Sequence, residues 1–314
     1  MSESRLLLQE LLSETSAGRR CALCAIVHKA GSTPRRPGAT LLVKEDRSTF
    51  GTLGGGCVEA EVILRVHRDI MPGGGTAYME FNLNHTWGWD DGLICGGRMD
   101  VAAMVIAPST DLEAYRLALE SIRDREEAWY PIIAKKDDRT VEYRIHVEPT
   151  PTLIVAGAGH IGRALAKSAV DLDFHVVVID DRKEFASPER FPPDVEIRVG
   201  DIDACLEDYA LDSTVYVVIV TRGHKNDQRA LEAVIDRPVN YIGLLGSKRK
   251  RKIIYDDILK ARSCLTQSRL DEVCSPVGIS IGAETVPEIA ISILAEIIKV
   301  RRKTPALWVE GPID

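Results

Sequence analysis

The stretch Gly157-Ala158-Gly159-His160-Ile161-Gly162 decides the fold of half the chain. It is a G-x-G-x-x-G that follows the apolar run 153–156 and opens a segment of helical periodicity. The next apolar run, 175–179, ends in Asp180-Asp181, about twenty residues on, where a ribose-binding acid is expected. Glycines at these spacings let the backbone approach a pyrophosphate, whose charge then sits on a helix N-terminus. Gly157, Gly159, His160, Gly162, Asp180 and Asp181 are therefore the candidate nucleotide-binding residues. Asp180 would accept from ribose hydroxyls and repel a 2′-phosphate, favouring NAD over NADP, and Arg182 weakens that preference. The alternative is a fold whose tight turn needs glycine and whose pocket is empty or repurposed.

Reading outward, the Val/Ile-rich runs 195–199, 215–220 and 239–244 alternate with helical segments. That pattern predicts an α/β fold: a Rossmann-type, doubly wound parallel sheet with both faces covered. Its crevice should be lined by the strand ends Thr221-Arg222-Gly223-His224 and Gly243-Leu244-Leu245-Gly246-Ser247. Thr285-Val286-Pro287-Glu288 reads as a capping box opening a helix that runs to about residue 300. Two prolines within Glu148-Pro149-Thr150-Pro151 mark the boundary, giving domains 1–148 and 149–314. A chain of 314 residues exceeds what one hydrophobic core usually serves.

The first domain reads as a smaller α+β unit. A short helix is expected over 6–12, strands over 21–28, 39–43, 76–83 and 99–107, helices over 58–67 and 112–122, and a strand pair over 129–147 around Lys136-Asp137-Asp138.

Within it lies GTLGGGCVE, residues 51–59. A strand-to-helix turn needs one glycine, sometimes two. Three in a row, Gly54, Gly55 and Gly56, bare successive backbone N–H groups and suit an anion nest. Cys57 then falls at a helix start, where the partial positive charge favours thiolate. The combination points to an anionic ligand beside a reactive or metal-coordinating sulfur, with Glu59 part of the same candidate segment. The alternative is a glycine-rich turn with a buried, inert cysteine.

Composition narrows the classes. A formal net charge of −7 argues against nucleic acid or an anionic membrane as the main partner. The opening residues alternate charged and apolar side chains, unlike a signal peptide, and no apolar run is long enough to span a bilayer. Seven cysteines, an odd number, fit reduced thiols in the cytoplasm. Cys21-x-x-Cys24 lies in a predicted strand, where i and i+3 face opposite ways, so it is not read as a metal site. The run 248–252, Lys-Arg-Lys-Arg-Lys, reads as a solvated face. His224 stands out among the histidines because it falls at the nucleotide crevice, and Trp87 and Trp89 either cover a planar ligand or pack their own loop.

Taken together, Gly31-Ser32-Thr33-Pro34-Arg35, GTLGGGCVEAE, Cys95-Gly96-Gly97-Arg98, the Gly157 fingerprint with Asp180-Asp181-Arg182, and the segment 278–285 resemble the XdhC/CoxI family, the xanthine dehydrogenase accessory proteins. The resemblance runs from about residue 20 to about residue 300 with the motifs in family order. It implies a cytoplasmic chaperone that binds the molybdenum cofactor (molybdopterin), holds it while a cysteine desulfurase installs the sulfido ligand, and passes it to a molybdenum hydroxylase such as xanthine dehydrogenase. It also implies a homo-oligomer, with a homodimer as the simplest case. Carried over by position, Gly54, Gly55, Gly56 and Cys57 match one family segment and Cys95, Gly96 and Gly97 another, which makes Cys57 and Cys95 the candidate reactive cysteines and Cys57 the candidate metal ligand. A soft molybdenum centre suits a thiolate, and the pterin's phosphate suits the nest. Thr221-Arg222-Gly223-His224 departs from the family pattern, in which a histidine follows the threonine directly. Two other readings stand beside this one: an NAD(P)-dependent oxidoreductase resting on the fingerprint, and a sulfur-carrying or thiol-redox protein that never binds a pterin.

Overall fold

The computed structural model describes residues 3–83, 97–262, 265–302 and 307–312. The chain falls into two compact units, Met1–Pro149 with Pro305–Asp314, and Thr150–Thr304.

The first unit begins with α1 (Glu3–Ser16), β1 (Cys21–Ala30), β2 (Thr40–Lys44), β3 (Thr49–Gly51) and α2 (Gly56–Arg65). A π-helical turn, Val66–Ile70, extends α2, and β4 (Thr76–Asn82), β5 (Arg98–Ile106), α3 (Glu113–Arg123), β6 (Ala128–Lys136) and β7 (Arg139–Val147) follow. The first five strands form one antiparallel sheet in the order β3-β2-β1-β5-β4. Strand alternation sends Ala22, Cys24 and Ile26 to a core shared with Val62 and Val66 of the α2 segment. Cys21, Leu23 and Ala25 go to the other face, against Leu7 and Leu11 of α1, Tyr115 of α3, and Tyr130 and Ile145 of β6 and β7. Cys21 and Cys24 thus face opposite cores, and burial pushes the Cys21 thiol up to about 12 and raises that of Cys24 as well. Neither is available as a thiolate near neutral pH.

The second unit runs β8 (Thr152–Ala156), α4 (His160–Val170), β9 (His175–Asp180), β10 (Glu196–Val199), α5 (Ile202–Glu207), β11 (Val215–Ile219), α6 (His224–Val234), β12 (Tyr241–Leu244), α7 (Lys248–Ala261), α8 (Gln267–Asp271) and α9 (Val286–Arg301). Its sheet is wholly parallel in the order β10-β9-β8-β11-β12. Leu153 and Val155 pack with α4 and α9 on one face, while Ile154 and Ala156 pack with α5, α6 and α7 on the other. A sheet covered on both faces is the Rossmann-type arrangement the sequence predicts. Thr285 and Glu288 form the expected capping box at the start of α9.

One boundary differs from expectation. The tail strand β13 (Leu307–Pro312) pairs antiparallel with β7, in a three-stranded sheet ordered β13-β7-β6. Residues 305–314 therefore belong with the first unit, because β7 still has an unpaired edge when the chain leaves it at Val147. No helix among the described residues is long and apolar enough to cross a membrane.

Candidate functional site

In the first unit the site is a junction of three segments. Gly51, at φ 81°, ends β3 so close to β2 that a Cβ there would stand 2.6 Å from the Thr40 carbonyl oxygen. The chain then turns through Gly54, Gly55 and Gly56 at φ 118°, 74° and 70°, a left-handed run open only to glycine without strain. Leu53, 1% exposed, pins the loop into the core, while the three glycines are exposed. A Cβ on Gly54 would meet Pro34 Cβ at 2.6 Å, so the loop rests on the segment that follows β1. Gly55 and Gly56 have nothing within 4 Å of such a Cβ and leave open space above the backbone. Gly97, just before β5, completes the junction: its Cβ would lie 2.2 Å from the Ser32 carbonyl oxygen and 2.8 Å from that of Ala30. The Gly31–Pro34, Gly54–Cys57 and Gly97 segments, far apart in sequence, are thus brought together.

Gly55 is the N-cap of α2, Gly56 its first residue and Cys57 its second. The Cys57 thiol is half-buried. Glu59, one turn in, folds back onto the loop. Its Oε2 accepts from the Thr52 hydroxyl at 2.6 Å, from the Leu53 N–H at 2.8 Å and from the Gly55 N–H at 3.2 Å, and the Gly54 N–H donates to Thr52 Oγ1 at 3.0 Å. Two of the three N–H groups expected to make an open anion nest, those of Gly54 and Gly55, therefore already have partners within the loop. What the loop presents is the Gly55–Gly56 backbone surface and the sulfur beside it. Among the described residues no group of three or more His, Cys, Asp or Glu side chains is placed to hold a metal ion. Cys95 and Gly96, with Trp87 and Trp89, lie outside the described residues.

Directly after Gly97, Arg98 and Asp100 form a polar cluster that periodicity does not reveal. Asp100 is 1% exposed and accepts from Arg98 Nε at 2.8 Å and from the Tyr78 hydroxyl at 2.6 Å, and Lys136 Nζ donates to that hydroxyl at 3.1 Å. Burial opposes the charge on Asp100, but the Arg98 and Tyr78 hydrogen bonds and the Arg98 charge hold its carboxyl below the ordinary carboxylate range.

In the second unit the fingerprint residues take their expected places. Gly157, at φ 121°, turns between β8 and α4, where a Cβ would stand 2.5 Å from the Val220 carbonyl oxygen. Gly162 lets α4 close on that turn, since its Cβ would lie 1.9 Å from the Gly157 carbonyl oxygen. Gly159 caps α4 with open space around it, and His160 opens the helix, exposed. Asp180, 2% exposed, points back into the protein: it accepts from the Ala158 N–H at 2.7 Å and from Arg182 Nε at 2.8 Å. Asp181 is exposed and lines a shallow polar hollow with Asp201, Asp203, Asn226 and Arg229.

The strand-end crevice holds a network absent from the expectations. Asp227, fully buried on α6, accepts from the Thr221 hydroxyl at 2.7 Å and pairs with Lys250 Nζ, which also donates to the Leu245 carbonyl at 3.2 Å. Lys250 is therefore not part of a solvated basic face, because a buried carboxylate draws it inward. The strand end Thr221-Arg222-Gly223-His224 gave no hint of this, since the acid lies beyond it, in the first turn of α6. His224 stays exposed at the start of α6.

Two family models match the chain. One, described as the XdhC and CoxI family, covers residues 15–82, and the other, described as the XdhC Rossmann domain, covers residues 153–297. YqeB of Escherichia coli is 31% identical over 288 residues, 90% of this chain, and the chain spans only 44% of YqeB. A probable xanthine dehydrogenase subunit of Bacillus subtilis is 26% identical, with 90% of this chain and 93% of that protein covered. The molybdenum cofactor insertion chaperone PaoD of Escherichia coli is 22% identical, covering 95% and 89%. A solved structure described as a xanthine dehydrogenase from Bacillus halodurans shares the fold, with a TM-score of 0.78 over 97% of each chain at 24% identity.

Proposed function

Because the chain belongs to the XdhC and CoxI family, we propose that it is a xanthine dehydrogenase accessory factor that binds molybdenum cofactor, holds it during sulfuration by a cysteine desulfurase, and delivers it to a molybdenum hydroxylase. In this reading the cofactor is cargo, and the protein is a chaperone rather than a catalyst. The name of PaoD points the same way. The observation that carries the reading is the junction in the first unit, where glycines leave open space over the backbone beside a half-buried thiol. Gly54, Gly55, Gly56 and Cys57 would hold the cofactor, the bare peptide edge meeting the polar pterin and the soft sulfur meeting the metal. Glu59 takes part by fixing the loop rather than by touching the cargo, since its bonding oxygen is turned onto Thr52, Leu53 and Gly55. A cytoplasmic homodimer that receives cofactor and docks on its client completes the proposal.

Gel filtration of the purified protein mixed with molybdenum cofactor tests it. Wild type should carry the cofactor through the column, and Cys57→Ala should lose most of it. No retention by wild type would sink the reading, and equal retention by the variant would remove Cys57 from the site.

A further inference from the structure

The G-x-G-x-x-G turn and the acid after β9 imply a dinucleotide, and the residues around them test whether one fits. A carboxylate offers about four lone-pair positions. Asp180 Oδ1 accepts from the Arg182 backbone N–H at 3.0 Å and from its Nε at 2.8 Å, while Oδ2 accepts from the Ala158 N–H at 2.7 Å and from Arg182 Nη2 at 2.9 Å. All four positions are used from within the protein, and the carboxylate is 2% exposed. A ribose diol reads this acid by donating its hydroxyls to it, and here no acceptor position is left for them.

Arg182 is itself fixed. Its guanidinium carbon lies 3.8 Å from the centre of the Phe185 ring, and that of Arg190 lies 4.7 Å from the same ring. Arg190 Nη1 donates to the Phe185 carbonyl at 2.7 Å, and Arg163 on α4 donates to the Arg190 carbonyl at 3.0 Å. The guanidinium is thus tied to the helix that the fingerprint opens. A 2′-phosphate fares no better than a diol. The Nε hydrogen and one Nη2 hydrogen of the fork bond Asp180, and the Asp180 charge beside them repels a second anion.

Packing also explains two of the three fingerprint glycines without a ligand. Gly157 is required by the Val220 carbonyl and Gly162 by the Gly157 carbonyl. We propose that Arg182 occupies the position of the ribose and closes this Rossmann unit to NAD and NADP. The fingerprint then serves to build the turn, and Asp180 serves to lock the Ala158 peptide to the end of β9. The inference stands apart from the chaperone reading, which rests on the first unit.

Calorimetric titration of the full-length protein with NAD and with NADP tests it. Wild type should give no saturable heat with either at millimolar concentration. Arg182→Ala keeps the two backbone N–H contacts, from Ala158 and from residue 182, and frees the two acceptor positions held by Nε and Nη2, so it should bind NAD at least about tenfold more tightly than wild type, a gain of about 1.4 kcal/mol. Arg182→Lys, which keeps the charge but loses the fork, should fall between the two. Saturable wild-type binding of either nucleotide below millimolar overturns the proposal. So does an Arg182→Ala variant that folds by circular dichroism yet binds NAD no better than wild type. If that variant does not fold, the wild-type titration decides alone. Either result leaves cofactor retention by the first unit untouched.

Discussion

Gly97 lies against Ser32 so closely that a methyl group on it would stand 2.2 Å from the Ser32 carbonyl oxygen. Backbone meets backbone there, and neither side can rotate away. Gly97→Ala should therefore cost about 3 kcal/mol, at the upper end of overpacking penalties. Gly55→Ala meets nothing within 4 Å and carries only the backbone strain of φ 74° with ψ −171°, about 2 kcal/mol. Urea denaturation of the two variants should rank them in that order.

Glu59 gives the glycine loop its internal acceptor. Removing it in Glu59→Ala leaves the Leu53 and Gly55 N–H groups without their partner, and Leu53 is too buried for water to replace it fully. A loss of about 1–2 kcal/mol is expected, with faster amide exchange at Leu53 and Gly55. Glu59→Gln, which keeps an acceptor oxygen, should exchange more slowly than Glu59→Ala. Exchange in Glu59→Ala as slow as in wild type would show that Glu59 does not hold the loop.

Lys250 compensates the charge of Asp227 at its second carboxylate oxygen, while the first accepts from the Thr221 hydroxyl. Lys250→Met strands a fully buried carboxylate and should destabilise the protein by roughly 3 kcal/mol. Lys248→Met, at an exposed position in the same basic run, should change stability by no more than about 0.5 kcal/mol. Thermal unfolding of the pair separates a buried ion pair from a solvated face.

Asp100 makes the stability of the first unit depend on acid. Its carboxyl titrates lower in the folded protein than in the unfolded chain, so the stabilisation is present above the unfolded value of about 3.9 and is lost as the pH falls through the lower, folded value. Arg98, Tyr78, His28, Glu80 and Lys136 surround this network, and Arg98 also pairs with Glu80. Asp100→Asn should be less stable than wild type near neutral pH, and the gap should narrow below about pH 4. A gap that stays constant from pH 6 to about pH 3 would assign the loss to packing instead.

Much of this molecule is legible in the sequence where neighbours along the chain make the structure. The apolar runs 153–156 and 175–179 give β8 and β9, and Gly157 marks the turn between β8 and α4, because each is decided within a few residues. The Lys136-Asp137-Asp138 turn gives the β6–β7 hairpin for the same reason, with Asp137 and Asp138 at φ 47° and 63°. The misses are contacts across distance or in side-chain direction. Nothing in the composition of the tail predicts that β13 joins β7, since strand pairing is set by an edge left open long before. The identity of Asp180 suits a ribose, but the bond that Arg182 makes to it is a matter of rotamer rather than spacing. In the candidate site, three glycines announced a special turn, and only the structure shows Glu59 already bonded inside it.

The return of β13 to the first unit has a practical meaning for anyone who dissects this protein. The Rossmann unit is topologically an insert, with covalent joins to its host at both ends. A fragment stopping at residue 149 would lack its own outermost strand and expose the backbone of β7 as a template for aggregation. An autonomous first unit would instead need residues 305–314 spliced behind residue 149 through a short linker, a rewired gene rather than a truncated one.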